Sequence, residues 1–158
     1  MAAKTTEEWL SAYGESHQHP FNKALHWVCV PTIAACVLAL LWDVPKPSWF
    51  GGPRWWNWAS LTTLACLAFY VRLSPALAAG MLVCSAAVLA ALAAYDAYGP
   101  TPVWQAGLAA FVAAWIGQFA GHAVEGRRPS FFQDLQFLLI GPIWLLAAAY
   151  RKLGIPYA

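Results

Sequence analysis

The sequence predicts an all-α polytopic membrane helix bundle, with four full spans followed by a broken or re-entrant fifth helix. Three observations carry this. The 158 residues are 61% hydrophobic and 10% charged, against about 45–50% and about 25% in soluble domains, and mean hydropathy is +0.53. The apolar residues fall in runs of membrane length, parted by Pro, Gly and charged turns. Ten Trp and six Tyr suit the headgroup level, where an amphipathic ring is wet at one end and apolar at the other. Residues 1–158 are expected to form a single integral-membrane domain. A net charge of +2, scattered along the chain, is too small to suggest a nucleic-acid partner, and none is expected.

Residues 1–22 read as a polar, interfacial arm. Thr5 followed by Glu8 is a capping-box start, and Trp9, Leu10 and Tyr13 give a short apolar face suited to the membrane surface. With Lys4, Glu7 and Glu8 at the start, no cleavable signal is expected and the first span is its own insertion signal. Pro20 suits the first position of the next helix, where its missing N–H costs nothing.

That span is expected over 24–42, stopped by Asp43-Val-Pro-Lys-Pro. A Trp-rich loop leads to a short second span over 58–71, ended by Arg72 and Ser74-Pro75. The third, 76–95, is rich in Ala with Gly80 and Ser85, small residues that let helices approach in lipid. Gly99-Pro-Thr-Pro102 separates it from the fourth, 103–122. The last segment, 131–150, is interrupted at Gly141-Pro142. Cys29, Cys36, Cys66 and Cys84 lie inside apolar runs without metal-type spacing and read as small buried hydrophobes.

Four crossings put Lys4, Lys23, Arg72, Arg127 and Arg128 on one side, against Lys46 and Arg54 on the other. If the last segment turns back at Gly141-Pro142, Arg151 and Lys152 join the first group and the bias becomes a normal positive-inside pattern. Either way His26 and His122 bracket four crossings, so both ends of the bundle's polar sequence share one membrane face, the cytoplasmic one.

All four histidines lie in two stretches, Ser16–His26 and Gln118–Pro129. Gln118, His122 and Glu125, spaced four and three apart, share a helix face, and so do Asn22 and His26. A helix-end histidine ordinarily does no more than touch water or a backbone carbonyl. Ionisable groups converging at the end of a membrane helix are instead a candidate site, and three imidazoles beside a carboxylate suit non-haem Fe(II). Glu125 is either a ligand or an acceptor that orients a ligating histidine. Asn22 and Gln118 serve the ligands or pair between helices. Arg127 and Arg128 are positive-inside anchors or a fork for a substrate carboxylate. Tyr13 faces the same pocket or is an interfacial aromatic. His19, beside Pro20, reads as a loop residue outside the site.

Together the stretches Tyr13-x-x-x-His17-x-x-Pro20-x-Asn22-x-x-x-His26-x-x-x-x-Pro31 and Gln118-Phe119-x-Gly121-His122-x-x-Glu125-x-Arg127-Arg128-Pro129 resemble the two signatures of the membrane 2-hydroxy fatty acid dioxygenases of fatty-acid α-oxidation. Gln136 and Pro142 fit the segment that follows, so the resemblance covers essentially the whole chain. Its two motifs are specific and the spans between them generic. It implies an Fe(II)-dependent enzyme that uses O₂ to shorten a long-chain 2-hydroxy fatty acid by one carbon, with His17, His26 and His122 as metal ligands. Asn22 and Glu125 match the family's other polar positions and are expected to serve catalysis. Tyr13, Gln118, Arg127 and Arg128 are expected to bind substrate. The expected setting is a bacterial inner membrane, or the endoplasmic reticulum of a eukaryote.

Two other function classes compete. A haem electron-transfer protein would use His26 and His122 as axial ligands and leave the third histidine and Glu125 idle. A non-enzymatic adaptor or transporter would be expected to carry polar groups near mid-membrane, where these spans have almost none.

Overall fold

A computed structural model describes residues 4–15, 17–126 and 131–157, the last stretch without side chains over 131–137. The described residues form six helices and no strand: α1 (Thr6–Gly14), α2 (Pro20–Trp42), α3 (Trp58–Leu73), α4 (Pro75–Tyr98), α5 (Val103–Glu125) and α6 (Phe131–Leu153). Helices α2, α4 and α5, of 23, 24 and 23 residues, are long and apolar enough to cross a membrane. The expected second span, α3, has 16 residues, about 24 Å of helix against a ~30 Å hydrocarbon core.

The helix ends follow the chemistry read from the sequence. Thr5 and Glu8 form the capping box of α1, and Pro20 and Pro75 occupy the first turns of α2 and α4. Asn57 and Ser74 cap α3 and α4 by accepting from Ser60 N and Leu77 N. Gly126, at φ 71°, closes α5 in the left-handed conformation that side chains resist.

The principal packing is α2 against α5, with Cys29, Ile33 and Ala114 buried between them. At one end of the bundle Ala39, Trp42, Ala59 and Val103 form a second core patch. There Arg54 bridges Asp43 and Asp96, and Asp43 also accepts from Trp104 N at 3.1 Å. Exposed Arg–carboxylate pairs of this kind contribute little, about 0–1 kcal/mol each. Their effect is to hold the Trp-rich loop against the starts and ends of the spans.

The other end holds the largest core patch, with Leu10, Tyr13, Tyr70, Leu77, Ile140, Ile143 and Ala147. Two expectations change here. The apolar face of α1 does not lie open to the membrane surface: Leu10 and Tyr13 are buried, and α1 packs on α6. The last segment is not broken at Gly141-Pro142 either, since α6 is one helix with Pro142 inside it. A proline removes one backbone bond, and packing on α1, α2 and α4 compensates for it.

Helix α6 lies across the end of the bundle that carries the histidines. Tyr70 Oη donates to Leu139 O at 2.9 Å, Tyr150 Oη to Ala76 O at 3.2 Å, and Ser74 Oγ to Tyr157 O at 2.5 Å. Arg151, against Tyr157, thereby falls beside the α3–α4 turn, whereas Lys152 reaches Trp27 of α2. Of the four cysteines, Cys29 and Cys36 are buried as expected, whereas Cys66 is half-buried and Cys84 exposed; all four are free thiols.

Candidate metal centre

The short link between α1 and α2 carries His17, the first turns of α2 carry Asn22 and His26, and the last turns of α5 carry Gln118, His122 and Glu125. Close α2–α5 packing brings them together. His17, His26 and His122 each offer a nitrogen, and the three nitrogens lie within 4.8 Å of one another. Their ring centroids are 4.2, 5.4 and 5.2 Å apart. His17 and His26 are almost wholly buried, 4% and 1% exposed.

The tautomers of two rings follow from their partners. His17 Nδ1 lies 2.7 Å from Tyr13 O and His26 Nδ1 2.9 Å from Asn22 O. A carbonyl only accepts, so both Nδ1 atoms carry the proton and donate it. Both Nε2 atoms therefore present lone pairs, and they face each other at 2.8 Å. Only a cation, a proton or a metal ion, satisfies that arrangement. Burial pushes the His17 imidazolium below its usual pKa, with Tyr13 O pulling the other way, so the neutral, ligating form is favoured. The convergence of a third imidazole on the same point fits a metal of the kind histidine binds.

Glu125 stands outside the cluster of ligand nitrogens and grips the chain that carries them. Its carboxylate accepts from Gln18 N at 2.7 Å, from His19 N at 2.9 Å and from Asn22 Nδ2 at 3.0 Å. These donors surround the N-terminus of α2, where the helix dipole favours an anion. Glu125 thus caps a helix 103 residues away in sequence. Asn22, fully buried, joins the two groups, with its carbonyl on His26 and its amide on Glu125.

Gly121 makes that closeness possible. A Cβ there would run into Asn22 Oδ1, nearer than real Cβ atoms approach. Gly121→Ala is therefore expected to push α5 off α2, with about 1–3 kcal/mol of lost stability, measured by thermal unfolding, and weakened metal retention.

Above the histidines is a cavity of about 70 Å³ walled by Tyr13, His17, His26, Gln118, His122 and apolar side chains. Tyr13 stacks on His17, centroids 4.3 Å apart and planes 11° from parallel. Gln118 is 8% exposed. Its Oε1, and the indole Nε1 of Trp115 in the same wall, are buried and make no hydrogen bond among the described residues. Trp115 is the residue that the sequence reading missed. In an apolar run it looks like any lipid-facing aromatic, yet 115, 118 and 122 are three and four apart and share a face.

Arg127 and Arg128 lie outside the described residues. His19 is exposed and serves as the N-cap of α2, its Nδ1 accepting from Phe21 N at 3.2 Å. His19→Ala is accordingly expected to cost on the order of 1 kcal/mol at that cap and to leave turnover and metal content near wild type.

Compared with known proteins, residues 3–153 match the family model described as 2-hydroxy-palmitic acid dioxygenase Mpo1-like. No curated protein matches the chain, and no solved structure does.

Proposed function

Since the chain belongs to the Mpo1-like 2-hydroxy-palmitic acid dioxygenase family, we propose that it is a membrane-embedded Fe(II) dioxygenase converting a long-chain 2-hydroxy fatty acid to the acid one carbon shorter. The balanced reaction consumes one O₂ per substrate, breaks the C1–C2 bond, oxidises C2 to the new carboxyl and releases C1 as CO₂ with water. The observation that carries the reading is the pair of Nε2 atoms held lone pair to lone pair at 2.8 Å, with a third imidazole beside them.

In this reading His17, His26 and His122 would hold the iron, which when bound would supply the redox and Lewis-acid chemistry that the reaction needs. The protein supplies the rest. Tyr13 O and Asn22 O fix the ring orientations, as partners behind metal ligands do. Glu125 and Asn22 act as positioning residues, tying His17 and His26 to the helix that brings His122. Trp115 Nε1 donates to the substrate's carboxylate, and Gln118 Oε1 accepts from its hydroxyl, which satisfies two groups that are costly to leave unmet in an apolar wall. Tyr13 forms the opposing wall. Arg127 and Arg128 neutralise the carboxylate as it arrives from the cytoplasmic face. The surrounding apolar wall excludes water from the reaction.

A haem between His26 and His122 is not favoured, because the ring of His17 lies against both. An adaptor would have no use for a buried cluster of this kind. Purified protein supplied with Fe(II), O₂ and 2-hydroxypalmitate is expected to yield pentadecanoic acid, detected by mass spectrometry. Substrate returned unchanged under those conditions would overturn the proposal.

A further inference from the structure

A second hollow, of about 250 Å³ and almost wholly apolar, lies between α2, α4 and α6. Its walls include Trp27, Ala34 and Leu38 of α2, Ser85 and Val88 of α4, and Leu146 of α6. We propose that this groove binds the acyl tail of the substrate, an inference that rests on the dioxygenase reading and gives that site its chain-length selectivity.

Continuity comes first. Ala34 lines both the groove and the histidine cavity, and on α6 the cavity is lined by Gly141 and the groove by Pro142. The two spaces are therefore neighbours that share the wall at Ala34. Direction comes second. From Trp27 to Leu38 the groove follows α2 for about 16 Å at the helical rise, away from the histidine end and into the span. A lipid-like molecule in that leaflet points its tail the same way, so it slides in sideways with its head already at the level of the metal centre. Charge comes third. Lys152 Nζ sits 5.6 Å over the Trp27 ring, a positive group at the headgroup end of an otherwise apolar groove. That polarity suits an amphiphilic carboxylate that passes the mouth on its way to the histidine cavity better than it suits the uniformly apolar flank of another helix.

Moving a tail from bilayer to groove exchanges one apolar environment for another, so hydrophobicity gives little discrimination. Shape must supply it, and Leu38 and Val88, the lining residues farthest along α2 and α4, are where a tail of limiting length is tested. Methylenes beyond those residues have to fold back or leave the groove.

The test uses the full chain in lipid nanodiscs with a 2-hydroxypalmitate analogue bearing a photoreactive diazirine at its terminal carbon. The labelled residues are read by peptide mass spectrometry. Labelling is expected on groove residues such as Ser85, Val88 and Leu146, and to be competed by unlabelled 2-hydroxypalmitate. Labelling concentrated on Leu82 and Val83, which face outward from α4 at 55% and 70% exposure, would overturn the proposal. Val88→Trp should then lower kcat/KM for 2-hydroxypalmitate at least tenfold more than for 2-hydroxyoctanoate, whereas Val83→Trp should treat the two alike. An equal loss on both substrates in Val88→Trp would also overturn it. Labelling does not depend on turnover, so a chain that labels in the groove but forms no product fails the dioxygenase reading alone. A chain that forms product but labels elsewhere fails the groove alone.

Discussion

His122→Ala, His17→Ala and His26→Ala are each expected to abolish conversion of 2-hydroxypalmitate. Removing a partner that only orients a metal ligand costs about 10–100-fold in affinity or activity, so loss of a ligand itself should exceed that and leave background turnover. The effect should be chemical and not a collapse of the fold. His122 is only partly buried and lies at the end of α5, beyond the α2–α5 core made by Cys29, Ile33 and Ala114. Its truncation should leave helical content and thermal unfolding close to wild type. His26 is 1% exposed, and its loss opens a void as well, so a measurable fall in stability should accompany the lost activity. Product formation under Fe(II) and O₂, with circular dichroism on the same samples, separates the two effects. Wild-type turnover in His122→Ala would remove that residue from the site.

The second large effect is expected at Glu125. In Glu125→Ala the exposed amides of Gln18 and His19 can turn to water, whereas Asn22 Nδ2 belongs to a residue with no exposure. Leaving one such donor unmet costs about 1–3 kcal/mol. The link carrying His17 would then detach from the end of α5, and metal affinity should fall about 10–100-fold. Glu125→Gln keeps an acceptor oxygen for Asn22 and should recover part of the loss. A directly ligating carboxylate would behave differently: Gln would be nearly as damaging as Ala, and the metal's spectroscopic signature would change. Metal titration of the three proteins, with thermal unfolding alongside, distinguishes these outcomes.

Much of this was legible in the sequence because it depends on period and parity. Gln118, His122 and Glu125 at four and three apart had to share a face. Four apolar segments between His26 and His122 brought both histidines to one end, and the structure places them there with His17. The helix starts at Thr5 and Pro20 were readable from local chemistry alone.

The missed features depend on reach across the fold. Spacing put Glu125 on the site's face but could not say that its carboxylate would close on the N-terminus of α2. Gly141-Pro142 looked like a break because a proline cannot donate, yet neighbouring helices keep α6 whole. The amphipathic face of α1 fitted a membrane surface as well as a protein one, and only the course of α6 decides which it meets. Trp115 was hidden by its setting, an aromatic in a span where aromatics are ordinary. The expected short second span, α3, has 16 residues, so by length only α2, α4 and α5 stand among the described helices able to cross unaided.

Metal content decides whether three histidines hold one iron. Wild-type protein purified in detergent and loaded anaerobically with Fe(II) should carry close to one iron per chain by elemental mass spectrometry, without a Soret band. His122→Ala, treated in the same way, should carry almost none. Wild-type protein that retains no metal, or a variant that retains as much as wild type, would rule out a three-histidine iron site.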